Sequence, residues 1–583
     1  MPSGTMQQRR KLATTMSTLR RLIFGLLLSR STGSSATDIS EPQVVLTPSQ
    51  NPPASASKPV LNNFVSLSIA IHFFQDYTRI GSVGEAPNIF SKNLLSSLTE
   101  STSIAPEIRI GGTSADRTTY VPDQNTTISQ VSGDNGIPLN VTLNQKWFQQ
   151  CFDPENFPSG IKFIFDLPLE RNDSLALNNT VLGAEWALDA IGADRLDAFE
   201  IGNEEDLYVG DDIVPANWTV TDYVIRWQRF SSAVIDRVLI PYGLDLSQKW
   251  FQGLAFSGLG ANPAWTTETA FNANVNKQQT LKSVSLHNYP AGNAFWVNLG
   301  NSFMNHTAIV ANLSQVTASI NFLDSSPSTE DIVFNLGETN IDFVNLNMNQ
   351  FEGVLGSALW TADYALYGAS LNINRMYLHQ GTTFGYAAWQ PIATNTSQPQ
   401  VRAPWYGLKF AAEAIGSHQG SIQIAPLDIV VTQDPTTATS SSTIDTRNPS
   451  PPPQILTSEK ISAYAIYESA SLARIALINF NEWNGTTPYP RPRAVFRVAL
   501  PLNTNGNSST GALSNVTTRT LTAPDGASAD SGLTFGGIMW NYSTQGLPQR
   551  VEGVPGTVEV QRSEDGSIVF DLGASEALLI NVN

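Results

Sequence analysis

A (β/α)8 TIM barrel followed by a C-terminal β-sandwich, an α/β plus all-β chain, is the fold class that this sequence predicts. Three observations carry it. Eight short apolar strands alternate with amphipathic helices between Phe64 and about Gly416, the texture then changes to strands separated by Gly/Asn/Pro turns, and 583 residues exceed what one hydrophobic core usually organises.

The strands are FVSLSIAI from Phe64, EIRI from Glu107, IKFIFD from Ile161, LDAFEI from Leu196, WFQGLAF from Trp250, SVSLHNY from Ser283, DIVFNLGE from Asp331 and INRMYLH from Ile373. Helical periodicity lies between them in NLLSSL from Asn93, LGAEWALDAIG from Leu182, YVIRWQRFSSAVIDRVL from Tyr223 and VLGSALWTADYALYGASL from Val354. Eight βα units need roughly 250 residues, and 60–416 supply them with room for loop insertions. Over 417–583 the runs KISAYAIYES, LARIALINFN, AVFRVALP and EALLINVN read as sandwich strands, with no convincing helix among them. The polar, Pro-rich stretch QDPTTATSSSTIDTRNPSPPP from Gln433 reads as a long surface loop inside that sandwich. Residues 1–58 read as a signal and disordered segment, with QVVLT at Gln43 a candidate strand for the sandwich.

Composition narrows the function. A hydrophobic fraction of 41%, with 12 Trp, 15 Tyr and 27 Phe, excludes a mainly disordered chain. The net charge of −17 repels a phosphate backbone, so nucleic acid is not an expected partner. It also disfavours a polyanionic sugar chain, and any uronic acid must be held by local donors in a pocket. Cys151 is the only cysteine and stands in a helical run, where it reads as a small buried hydrophobe. An intramolecular disulfide and a thiolate metal cluster are thereby excluded, and five His are too few for a His-rich metal site. No metal and no organic cofactor is expected, and the molecule is expected to be a monomer. The basic flank and short apolar run LRRLIFGLLL from Leu19, followed by small residues, read as a signal peptide and predict secretion. No later run is long enough to span a membrane. Sequons at Asn125, Asn140, Asn172, Asn178, Asn217, Asn305, Asn312, Asn395, Asn484, Asn507, Asn515 and Asn541 suit a glycosylated secretory route.

Two glutamates carry the chemistry. Cleaving a glycosidic bond with retention needs two carboxyl groups roughly 5 to 5.5 Å apart, one protonated and one ionised. In a barrel such groups sit at the C-terminal strand ends. Glu204 follows the fourth strand in FEIGNEEDLY, and Glu338 ends the seventh in FNLGETN. Asn203, immediately before Glu204, is placed to donate to a sugar 2-hydroxyl, a contact that tightens as the transition state forms.

FEIGNEEDLY, RIGGTSADR from Arg109, SLHNY and FNLGETN together resemble glycoside hydrolase family 79, whose members are barrel-plus-sandwich β-glucuronidases and heparanases. The resemblance runs from Phe64 to the C-terminus. It implies Glu204 as acid/base, Glu338 as nucleophile and Asn203 as the partner of the 2-hydroxyl. Length and sandwich resemble fungal exo-acting β-glucuronidases more than endo-acting heparanases, with terminal glucuronic acid or its 4-O-methyl form as the implied sugar. Two departures stand out. Glu205 takes the place of a usual proline and is expected to crowd the site with a third carboxylate, and Phe343 stands near where a carboxylate-reading tyrosine is expected. They leave open a heparanase-like enzyme, another β-glycosidase of the same clan, and a carbohydrate-binding relative without turnover.

Further binding candidates follow from position. Tyr289, ending the sixth strand, is placed to orient the Glu338 carboxylate, against the alternative of packing on the barrel rim. Arg109 is placed to act on Glu338 electrostatically, or else to form a buried ion pair. Gly111 and Gly112 expose backbone N–H groups to a sugar carboxylate, or simply make a tight turn. Tyr386 offers a hydroxyl, and Trp389 offers an aromatic wall or a piece of core. His287 and His379 lack ligand spacing and read as hydrogen-bonded structural histidines.

Overall fold

The computed structural model describes residues 43–81, 85–133, 136–210, 213–260, 262–292, 296–342, 348–417, 420–432, 451–501 and 515–582. The signal-peptide reading at 19–28, the loop from Gln433 to residue 450, Phe343 and Asn507 lie outside them.

Eight parallel strands close a barrel in sequence order: β1 (Val65–Ala70), β2 (Glu107–Gly111), β3 (Lys162–Leu167), β4 (Leu196–Ile201), β5 (Phe251–Phe256), β6 (Leu281–Asn288), β7 (Val333–Thr339) and β8 (Arg375–Gln380). Each falls on one of the eight predicted runs. Strand alternation puts every second side chain outside, where Leu67, Ile69, Ile108, Ile110, Phe163, Phe165, Phe199, Ile201, Val284 and Leu286 join one large core with the helices. The other set faces inward and is mostly polar. Among the described residues, Ile164, Ala198 and Tyr377 form an apolar cluster inside the barrel.

The helices follow the same logic. Helix α1 (Val220–Val234) starts at a capping box in which Thr219 and Asp222 satisfy each other's free N–H groups. It buries Tyr223, Trp227 and Phe230 on one stripe. Helix α2 (Leu355–Ser370) is instead buried all round from Leu355 to Ala369, as befits a helix held between the barrel and the β-domain. Tyr464 of the β-domain donates to Asp363 of α2 at 2.6 Å.

The β-domain has two sheets. The smaller runs Val430–Thr432, Gln43–Leu46, Arg493–Ala499, Ser567–Gly573, and the larger is built around Ile461–Glu468, Ser471–Asn479, Glu576–Asn581 and Val516–Thr522. Val44, Phe496 and Ile568 of one sheet pack on Ile475, Leu477 and Ile580 of the other. The opposite face of the larger sheet sends Tyr464, Ile466, Ala476 and Ile478 into the barrel's core. Both faces are therefore buried, which is why KISAYAIYES and LARIALINFN are almost continuously apolar. Residues 43–58, read in the sequence as the end of a disordered segment with one candidate strand, lie on this domain. Gln43–Leu46 pairs with two of its strands, and Ser57 and Val60 bond to Ile424 and Ile422.

Candidate active site

The turn after β4 is held by one buried acid. Asp116 accepts from the backbone N–H of Asn203 at 3.0 Å, of Leu169 at 2.6 Å and of Glu170 at 3.2 Å, and from the Tyr208 hydroxyl. Gly202 has φ 93° and Glu204 itself has φ 55°, a left-handed conformation that costs a non-glycine residue energy and persists only where surroundings enforce it. Enforcement comes from β5: the Glu204 N–H donates to the Ala255 carbonyl at 2.9 Å. Ala255 also has a positive φ of 47°, in a strand whose register shifts there.

Glu338 and His287 stand opposite each other on β7 and β6, just past a register irregularity in which Gly337 is the extra residue of β7. Glu204, His287 and Glu338 each offer a ligand atom, and these lie within 4.8 Å of one another. His287 Nδ1 is 2.9 Å from Glu204 Oε1. The Tyr289 hydroxyl donates to Glu338 Oε1 at 2.8 Å, and Arg109 Nη1 donates to Glu338 Oε2 at 2.8 Å. Arg109 also donates to Glu200 at 2.6 Å, Ser68 at 3.1 Å and the Asn203 side-chain oxygen at 2.9 Å. With that oxygen engaged, the Asn203 amide nitrogen is the end left to donate.

The two carboxyls are tuned in opposite directions. Burial pushes Glu204 up, His287 opposes it, and the like charges of Glu338 and Asp206 add to the rise. Burial works against the charge on Glu338 too, yet His379, His287, Arg109 and the Tyr289 hydrogen bond together bring its pKa down to about 2. Burial lowers His379 to about 4, so among these groups Arg109 is the permanent cation. The Glu204 pKa is thus raised and the Glu338 pKa lowered, the split that separates a proton donor from an ionised carboxylate.

A cavity of about 540 Å³ opens over the pair, lined by Glu204, Glu338, Tyr289, Tyr386, His72 and Ser114 among others. The side chains of Glu204 and Glu338 are 20% and 9% exposed to it. Tyr386 and Gly112 reach this wall. Asn203 lines an adjoining cavity that also reaches Glu204, and three predicted binding residues line neither. Arg109 is fully buried beneath the carboxyls, so it acts on Glu338 and cannot touch a substrate. Gly111 lacks a side chain because a Cβ there would meet the Arg109 guanidinium carbon at 2.8 Å, so it serves the packing of that arginine. Trp389 is core: its indole N–H donates to Ser91 at 2.9 Å and its ring sits between Tyr77 and Trp405.

Glu205 does not crowd Glu204. Its carboxyl is buried over Gly202, without a hydrogen-bond partner, and burial next to Asp116 holds it well above the usual carboxylate range. The reversed orientation of successive side chains in the turn explains this, since Glu204 faces the cavity and Glu205 the protein. His379 bonds to Ser68 at 3.0 Å, as a structural histidine would, but lies 3.5 Å from Glu338. His287 touches Glu204 directly. Their strand-end positions on β6 and β8 were the available signal for both. Glu204, His287 and Glu338 form a donor set that suits a cation in outline. The Arg109 guanidinium 2.8 Å from Glu338 opposes one electrostatically.

A closed (β/α)8 barrel with two acids at the C-terminal ends of β4 and β7 is the arrangement that a glycoside hydrolase uses. Comparison with known proteins agrees: residues 463–579 match the glycosyl hydrolase family 79 C-terminal beta domain. A protein named beta-glucuronidase from Aspergillus niger is 30% identical over 584 residues, covering 97% of this chain and 99% of that one. Another so named from Neurospora crassa is 29% identical, covering 89% and 91%. The chain belongs to glycoside hydrolase family 79. Its fold is shared with a 4-O-alpha-L-rhamnosyl-beta-D-glucuronidase from Fusarium oxysporum 12S (TM-score 0.68, 21% identity, 92% and 100% coverage). It is shared too with a family 51 arabinofuranosidase from Xanthomonas axonopodis pv. citri (TM-score 0.57, 13% identity, 93% and 100% coverage).

Proposed function

We propose that this glycoside hydrolase is a retaining exo-β-glucuronidase that releases glucuronic acid, plain or 4-O-methylated, from glycan or proteoglycan side chains. The single observation that carries retention is the approach of Glu204 and Glu338 to within 4.8 Å. That is the separation of direct attack, whereas an inverting pair stands roughly 6.5–9.5 Å apart to admit a water. The sugar is supported by the names of the two fungal relatives. Exo action is supported by a cavity whose volume suits a small ligand.

In this reading Glu338 attacks the anomeric carbon while Glu204 gives its proton to the departing oxygen. Glu204 then takes a proton from water, which attacks the glycosyl ester on Glu338 and returns it to the carboxylate. An Nδ1–H on His287 steadies Glu204 in its ionised, base form. Asn203 donates to the 2-hydroxyl, and Tyr289 and Arg109 hold Glu338 in line. The test is a panel of 4-nitrophenyl β-glycosides at mildly acidic pH, with the product anomer followed by NMR. Preference for glucuronide over glucoside, galactoside and galacturonide, with β-product formed first, is expected. Preference for another sugar overturns the substrate, and α-product first overturns retention.

Secretion as a glycosylated monomer belongs to the same proposal. It is supported by the apolar run from Leu19 and by the sequons, none of whose asparagines is buried among the described residues. No helix among the described residues is long and apolar enough to cross a membrane. Mass and N-terminal sequence of protein recovered from culture medium, with light scattering, check all three parts.

A further inference from the structure

The hydrogen-bond ladder between β3 and β4 stops just before the catalytic turn. Its last rung is the Gly202 N–H on the Leu167 carbonyl at 2.9 Å, and beyond it the backbone N–H groups of Leu169, Glu170 and Asn203 have no strand partner. Backbone donors left unpaired away from water cost free energy, so some other group must accept from them. Asp116, in the turn Thr113–Asp116 that follows β2, accepts from all three, at 2.6, 3.2 and 3.0 Å. The Tyr208 hydroxyl supplies a fourth donor. One side chain of a residue only 3% exposed therefore ties together the ends of three neighbouring strands.

Asn203 is where that tie meets the chemistry. Asp116 holds its backbone N–H and Arg109 Nη2 holds its side-chain oxygen at 2.9 Å, so two fixed points aim the amide nitrogen. The local backbone would not hold this shape alone, since Gly202 and Glu204 on either side have positive φ, 93° and 55°. We propose that Asp116 is a positioning residue for catalysis, acting through Asn203 by setting where its amide meets the sugar 2-hydroxyl. The proposal rests on reading Asn203 as the donor to that hydroxyl. Asp116 is not itself a substrate ligand, because both its oxygens are filled, Oδ1 by Leu169 and Glu170 and Oδ2 by Asn203 and Tyr208. Asparagine at this position has nearly the same shape but carries an NH2 in place of one oxygen. At least one of the three backbone N–H groups would then face another donor, and the turn must shift to relieve it.

The test is a double-mutant cycle in kcat/KM on 4-nitrophenyl β-D-glucuronide, with wild type, Asp116→Asn, Asn203→Ala and the double variant, repeated on the 2-deoxy analogue. On the parent substrate Asp116→Asn is expected to lower kcat/KM about 10²-fold, the cost typical of a catalytic contact displaced by about 1 Å. The loss should fall mainly on kcat, because the 2-hydroxyl contact tightens in the transition state. On the 2-deoxy analogue it should be much smaller. The double variant should fall short of the product of the two single losses by about tenfold or more, since residues acting through one contact are not additive. A merely structural role would lower the melting temperature while the two losses multiply and are equal on both substrates. That result overturns the proposal, as does wild-type kcat/KM in Asp116→Asn. Should Asp116→Asn fail to fold, Tyr208→Phe removes one donor from Asp116, the one hydrogen bond of that hydroxyl among the described residues, and is judged by the same coupling to Asn203→Ala. No loss in Asn203→Ala on the parent means that the reading of Asn203 has failed, and the proposal falls with it. If wild type does not cleave the glucuronide, the substrate reading has failed instead, and the cycle on the glycoside that the panel selects decides the role of Asp116.

Discussion

Inside the barrel, Arg109, Glu200, Gln252, Ser283 and Asn335 are buried in one hydrogen-bonded layer. Between the two sheets of the β-domain, Val44, Ile475, Phe496, Ile568 and Ile580 pack as hydrocarbon alone. The β-domain interior gains stability simply by leaving water, at about 25 cal/mol per Å² of apolar surface. Charges brought into the barrel lose their hydration, and their mutual attraction only partly restores it. What the polar layer secures instead is direction: Arg109 reaches Glu338, Asn203 and Glu200 at once, so Glu338 and the neighbour of Glu204 share one anchor.

This contrast can be broken by substitution. Glu338→Gln, at the top of the barrel, should lower kcat by about four orders of magnitude or more and also lower the melting temperature, because a carboxyl held at about 2 stabilises the fold when ionised. Measurable turnover would mean that another group attacks. Glu204→Gln should lower kcat/KM about 10²–10⁴-fold on a sugar leaving group, while the first step on a 4-nitrophenyl glycoside, read as a burst, is largely spared. In wild type kcat/KM should fall as pH rises through the raised Glu204 pKa, and that alkaline limb should vanish in the variant. Persistence of the limb would assign it elsewhere.

Arg109→Met and Phe496→Ala sharpen the same comparison. Both are expected to cost about 3–5 kcal/mol of stability, the first by stranding buried carboxylates and the second by opening a cavity. Only Arg109→Met should impair catalysis, and since it raises the Glu338 pKa, the acid limb of kcat/KM should move to higher pH. Denaturant titration with pH profiles decides. If Phe496→Ala loses activity as Arg109→Met does, the β-domain is not merely a support.

The smallest effect is expected at Glu205. Its folded pKa is raised, so its contribution to stability is fully present below the unfolded carboxyl value near 4.3 and is lost as pH rises toward the folded value. Glu205→Gln should therefore flatten the fall in melting temperature above about pH 4.5. An unchanged slope would assign it to the other buried acids with raised pKa values, Asp116 and Asp166.

All eight barrel strands were legible because their outward residues must meet the helices, and that demand writes a period of two into runs such as FVSLSIAI and LDAFEI. Glu204 and Glu338 were legible because strand ends in this architecture face the mouth. Residues whose role depends on depth were not. Arg109 lies under the site rather than in it, Trp389 is enclosed by Tyr77 and Trp405, and Glu205 turns inward where its neighbour turns outward.

Periodicity and strand-end chemistry are local properties, so the order of residues alone sets the barrel, the sandwich strands and the two acids. Depth, enclosure and the meeting of side chains such as Glu204 and His287 depend on contacts between segments far apart in the chain. These arise only when the sheet closes on itself, because closure converts separate strand ends into one wall around a shared space.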